Sequence, residues 1–318
     1  MKDNAKELEA PVLLAELWQL LMGAREVFGQ ERVFRRVVGL VLAELLTLGR
    51  HTVTQLMRTL GAVDCDWSAF YRLFSRGRFD EEALGAQLLR ETLEHVDASA
   101  PYVVTVDGVR VPRSGRCVAG SSWWPAPNTA YFRRGLARAQ RFVEIAWLTP
   151  EEKSYCRAVP LRWLPAVTAK SVPSSSTPCK EWEAGLHGLT WTRDQLNAQG
   201  RNTTHLVGVL DGSYDTRGIW STLPANTTLI IRCAKNRALY ALPKTAPGPP
   251  KRGRPALYGV RQPAPRAWLR PRKEMRTMTV RIRGRDRQLR YRVVGPVVVE
   301  GAPECPLFLL VIGGRTWR

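Results

Sequence analysis

The chain has 318 residues, of which 44% are hydrophobic, enough for a sizeable core plus one or two appendages. Its formal net charge of +20 and sequence pI of about 10.4 point to a polyanionic partner. Six cysteines, at positions 65, 117, 156, 179, 233 and 305, include no Cys-x-x-Cys pair, which speaks against a zinc site or disulfide framework and for a reducing compartment.

The opening MKDNAKELEA does not read as a signal peptide, and VVGLVLAELL (residues 37–46) is too short to span a bilayer and is broken by Glu44. Residues 12–98 read as helical. The stretch from Phe34 to Leu48 is apolar almost all round, which suits a helix buried in a bundle. Two shorter helices follow on either side of Gly61, the second with Asp66 as its N-cap. In that second helix Trp67, Phe70, Tyr71 and Phe74 recur as one apolar stripe, with Arg72, Arg76 and Arg78 off it. Two readings stand: a helical bundle with a solvated arginine face, or a helix-turn-helix that places Arg72 and Arg76 in a major groove.

Residues 97–100 (DASA) mark a domain boundary, and a buried strand from Tyr102 to Val106 follows, ending at Asp107 and Gly108. A second apolar strand, HLVGVL (205–210), ends in the same dipeptide at Asp211 and Gly212. Each aspartate alone reads as an ordinary turn residue. On neighbouring strands the two carboxylates would converge, an arrangement normally stabilised by a divalent metal or a shared proton. Asp215 is the fallback for the second acid.

Between the two strands, Arg110, Arg113, Arg116, Arg133, Arg134, Arg138 and Arg141 are interleaved with Trp123, Trp124, Tyr131 and Phe132. They form either a solvated face or a set of phosphate contacts with aromatic stacking. Phe142 to Leu148 reads as a strand, residues 149–179 as loop, Lys180 to Gln199 as a helix, DTRGIWSTL as a short helix and residues 227–233 as a strand. Residues 243–255 are Pro- and Gly-rich and contain Arg252-Gly253-Arg254-Pro255, read as a basic loop or as an AT-hook core for a minor groove. From Lys251 to Arg292 there are fifteen basic residues against two acids, Glu274 and Asp286, and residues 278–294 alternate as a strand–turn–strand pair.

TVDGVRVPRSGR (105–116), YFRRGLARAQRFVEIAWL (131–148), LDGSYDTRGIW (210–220) and IIRCAKNRALYALP (230–243) together resemble the DDE transposases of bacterial insertion sequences, over nearly the whole chain. The resemblance implies an α/β fold: a ribonuclease H-like mixed sheet, an N-terminal helical (helix-turn-helix-like) domain and a basic β-rich insertion. The expected domains are 1–98 (helical, DNA-binding), 99–234 (catalytic core), 235–304 (insertion) and 305–318 (start of the returning catalytic segment). It further implies Asp107 and Asp211 as catalytic metal ligands for Mg²⁺ or Mn²⁺, two ions in the complete enzyme. Double-stranded DNA would be the partner, contacted by Arg72, Arg76, Arg133, Arg134, Arg138, Lys251, Arg252 and Arg254, with a possible homodimer on DNA in the bacterial cytoplasm. The chain departs from that family at its third acid. No glutamate here opens a helix with the family's Tyr, Arg and Lys spacing: Glu274 lies in the basic run, Glu300 ends a strand and Glu304 precedes Cys305 and Pro306. The expectation is a transposase truncated before its last catalytic segment, either cutting and joining DNA ends or acting only as a DNA-binding protein or inhibitor.

Overall fold

The computed structural model describes residues 4–115, 117–126, 135–152, 154–172, 177–243, 256–270 and 272–313. It divides into two compact units, Met1–His95 and Val96–Arg318.

The first unit holds five helices: α1 (Asn4–Gly23), α2 (Glu31–Leu46), α3 (Val53–Thr59), α4 (Trp67–Ser75) and α5 (Glu81–Leu93). Short polar side chains start three of them: Thr52, Asp66 and Asp80 each accept a backbone N–H from the first turn, which satisfies donors a helix cannot pair internally. Phe28, Val33, Phe34, Val38, Leu40, Ala43, Leu56 and Leu73 form the core. Two expectations need correcting. Helix α2 buries one face only, and the apolar residues at its end stay out, with Leu46 71% exposed. In α4 the inward face runs through Phe70 and Leu73, with Trp67 half-buried, so only part of the aromatic stripe points in, and Tyr71 and Phe74 are exposed. Tyr71 keeps its hydroxyl at the surface, 2.6 Å from Thr54 Oγ1, so spacing alone misjudged the inward face.

The second unit is built on a six-stranded sheet of β1 (Tyr102–Pro112), β2 (Ser121–Pro125), β3 (Leu136–Leu148), β4 (Ala158–Pro165), β5 (Leu206–Leu210) and β6 (Thr227–Ile231). The strand order is β2-β3-β1-β5-β6, and β4 also pairs with β3. Strands β1 to β4 pair antiparallel, whereas β1–β5 and β5–β6 are parallel. A parallel pair needs a crossover, and α6 (Glu181–Ala198) supplies it between β4 and β5. This helix lies close on the sheet because Gly185 and Gly188 present no side chain: a Cβ at Gly185 would sit 2.7 Å from the Tyr214 ring, and one at Gly188 would strike Ile145. Buried Arg193 donates to the carbonyls of Thr204 and Arg201, tying the end of α6 to the start of β5.

The region 149–179 is not all loop. It contains β4, in which Pro160 and Pro165 are tolerated because the strand pairs on one side only, with a register shift beside Pro160.

A second, four-stranded sheet contains β7 (Leu239–Ala241), β8 (Arg276–Ile282), β9 (Arg285–Val299) and β10 (Ala302–Gly313). Strands β8 and β9 form a hairpin whose turn residues Arg283 and Gly284 both have positive φ, the backbone of a tight two-residue turn. Residues 302–313 pair with β9 here. A short helix, α7 (Arg217–Ser221), between β5 and β6 in the chain, packs against α6 and against β10 of the second sheet. Among the described residues no helix is long and apolar enough to cross a membrane.

Candidate functional site

Val106 pairs with Leu210 in the parallel β1–β5 register, so Asp107 and Asp211 follow at the same level on neighbouring strands, about 4.8 Å apart as strands. Both residues are exposed. Asp107 does not end its strand as the sequence suggests: β1 runs on to Pro112, paired with β3 throughout. Within it, Asp107 Oδ1 accepts the Gly108 N–H at 2.7 Å. Asp211 leads directly into a single helical turn, Gly212–Tyr214. Gly212 is demanded by closeness: a Cβ there would lie 2.8 Å from the Arg232 carbonyl oxygen at the exit of β6.

Two further acids border this point, and neither was singled out by the sequence reading. Glu144 stands directly opposite Asp107 in the antiparallel β1–β3 register. Like charges so placed repel, which marks the spot as one that favours a cation. Glu181, in the first turn of α6, ion-pairs with Arg141 and lies over Gly108, where a Cβ would collide with it. Among the described residues, however, no three of His, Cys, Asp and Glu come together closely enough to hold a metal ion.

Tyr214 forms the base of the site. It is fully buried, and among the described residues its Oη has no hydrogen-bond partner. Burial, reinforced by the nearby Asp107 and Asp211 carboxylates and opposed by Arg141, pushes its phenol well above the ordinary value. Burial and then the neighbouring Arg110 lower the proton affinity of Arg141. Both arginines lie over one ring, their guanidinium carbons 5.4 Å (Arg110) and 4.8 Å (Arg141) from the Trp124 centroid. Such stacking orients a guanidinium while leaving in-plane N–H groups for an oxyanion. Arg110 donates to the Pro125 carbonyl, and Arg138 to Ser121 Oγ.

The remaining sequence candidates disperse. Asp215 is engaged structurally, accepting from Trp220 Nε1 at 2.9 Å and pairing with Arg237 at 3.2 Å. Glu274 pairs with Arg292 in the second sheet, and Glu300 and Glu304 are exposed there. Arg72 and Arg76 lie in the first unit. Arg116, Arg133, Arg134, Tyr131, Phe132, Lys251, Arg252 and Arg254, and with the last three the AT-hook reading, fall outside the described residues. Glu144 could not be recognised locally, because its opposition to Asp107 exists only once the register is set.

Residues 26–292 match the family model described as DDE superfamily endonuclease. A comparison with curated proteins finds no match.

Proposed function

Because the chain belongs to the DDE superfamily endonucleases, we propose that it is a DNA transposase of the insertion-sequence kind, with Asp107 and Asp211 as the ligands of its divalent metal. The observation that carries this reading is the level placement of the two aspartates on the adjacent parallel strands β1 and β5. The sheet, antiparallel β2, β3 and β1 with β4 also on β3, followed beyond β1 by parallel β5 and β6, suits a ribonuclease H-like core.

Endonucleases of this superfamily generally use divalent metal ions, and the residues fit that need. Carboxylate oxygens are the hard donors that Mg²⁺ and Mn²⁺ prefer, and a buried hydroxyl with no hydrogen-bond partner among the described residues, Tyr214 Oη, lies near them. Bound there, the ion would activate the attacking water or 3′-hydroxyl and stabilise the leaving oxygen during attack on a DNA phosphate. Asp107 and Asp211 would hold it from two strands. Arg110 and Arg141, stacked on Trp124, would take the neighbouring phosphates, and Arg138, which alternates to the other face of β3, would make a separate contact. Holding an in-line geometry is demanding, since a misplacement of about 1 Å can cost about 10²-fold in rate.

A second reading is favoured by one observation, the absence of a third close ligand among the described residues. On it, the polypeptide binds DNA through its basic surfaces and does not cut by itself. Incubating the full chain with supercoiled plasmid and Mg²⁺ or Mn²⁺ separates the two. Nicking that is lost in both Asp107→Ala and Asp211→Ala supports the transposase site. DNA bound but left intact selects the second reading. Nicking that survives both substitutions overturns the assignment.

A further inference from the structure

A cavity of about 370 Å³ opens between α2 and α4 in the first unit. It is lined by Arg32 and Arg36, one turn apart on α2, and by Arg72, Arg76 and Arg78 at and just beyond the end of α4. Among the described residues that line it, Asp66 is the one acid. Five guanidinium groups against one carboxylate leave an excess of four positive charges around one concavity.

The lone acid is already committed. Asp66 caps α4 through the Ser68 N–H and accepts from Arg72 Nη2 at 2.7 Å. Its hydrogen bond to the Ser68 hydroxyl, with Arg72 adding to it, holds the carboxyl below its usual range. Several of the arginines are oriented by neighbours: Arg72 by Asp66, Arg36 over the Phe70 ring at 6.0 Å, and Arg32 through Nε to Gln30 Oε1 at 2.9 Å. Oriented guanidinium groups converging without matching carboxylates are suited to a tetrahedral oxyanion, which they bind through paired N–H donors.

We propose that this cavity binds DNA backbone phosphate, giving the first unit a sequence-independent grip on the duplex. It rests on the reading that the chain acts on DNA, and it assigns Arg72 and Arg76 a different task from base recognition. A recognition helix projects side chains outward into a major groove about 12 Å wide. Arg72 instead lines a hollow and is tied to Asp66, so it meets a phosphate that enters the hollow.

The test uses the full chain with the double variants Arg32→Gln/Arg36→Gln and Arg32→Lys/Arg36→Lys, their folding checked by thermal melting. Binding is measured across a salt series to two duplexes of equal length and unrelated sequence, and to pyrophosphate as a small-anion probe. The glutamine variant should weaken both duplexes by the same factor and lower the log K against log salt slope by about 1 to 2, since each phosphate contact contributes about 0.9. The lysine variant, which keeps the charge, should keep most of the slope. A loss confined to one duplex would mean base reading and overturn the proposal. So would pyrophosphate stabilising the wild type but not the glutamine variant while duplex binding stays unchanged, the mark of a small-anion site. An indifferent variant of a chain that binds DNA sinks the cavity alone, whereas a chain that binds neither duplex at any salt also removes the functional reading beneath it.

Discussion

Tyr214 carries a hydroxyl buried near two carboxylates with no hydrogen-bond partner among the described residues, and its ionisation should be visible in stability. Below pH of about 10 the phenol is neutral folded and unfolded, so it contributes no pH dependence. Above that, the unfolded chain releases the proton while the folded one retains it, and stability falls as pH rises, by at most about 1.4 kcal/mol per pH unit. Urea melts should therefore show Tyr214→Phe at least as stable as the wild type at pH 8, because the buried unbonded hydroxyl is gone, and the wild type falling further behind between pH 10 and 11. Parallel curves would mean that Tyr214 is not held neutral in the fold. Asp107 offers the complementary case. It faces Glu144 across the β1–β3 pair, so without divalent cation Asp107→Asn should leave stability unchanged or raised by up to about 1 kcal/mol. Denaturant melts in chelator read this directly, and a clear loss would mean that Asp107 is structural. Asp107 and Asp211 could be picked out from sequence because each closes a β-branched run with Asp-Gly. Glu144 and Glu181 could not, since one depends on strand register and the other on where the start of α6 meets β1.

At the scale of elements, α6 decides where the second aspartate stands. The helix meets the sheet through glycines, and Gly188 lies against Ile145 with no space for a methyl group. Gly188→Ala should cost about 1–3 kcal/mol by overpacking, measurable as a lower denaturation midpoint, and it should also weaken any metal binding by lifting α6 from β1 and β5. An unchanged midpoint would show that the contact relaxes freely. The helix itself was legible from its sequence, but its glycines were not, because their role appears only against Ile145 and Tyr214. Strand β4 escaped for a different reason: two prolines in eight residues argue against a strand until its partner β3 shows that one edge needs no donors. The aromatic spacing of α4 misled in the opposite direction, since Tyr71 and Phe74 satisfy helical periodicity yet face solvent.

At the scale of the whole molecule, the net charge of +20 is carried by the second unit: residues 1–95 hold 12 basic and 14 acidic residues, and residues 96–318 hold 36 and 14. The β8–β9 hairpin is its most exposed carrier: Arg276, Arg281, Arg283, Arg285 and Arg290 are all exposed, on a ribbon of the width a major groove admits. Arg281→Gln/Arg283→Gln/Arg285→Gln should lower the salt slope of duplex binding by about 2 to 3, and an unchanged slope would place the hairpin away from DNA. Substitution is the right instrument, because β9 is the strand to which β7, β8 and β10 all pair, and deleting it would remove the second sheet.

If Asp107 and Asp211 act as one cation site, Mn²⁺ titration of the full chain by electron paramagnetic resonance detects it without requiring cleavage. Asp107→Asn and Asp211→Asn should each weaken binding by at least about 10-fold, the lower end of the loss seen when even an outer partner of a metal ligand is removed, and the double variant should be little worse than either single one. Wild-type Mn²⁺ affinity in either single variant, or losses that simply add in the double, would contradict it.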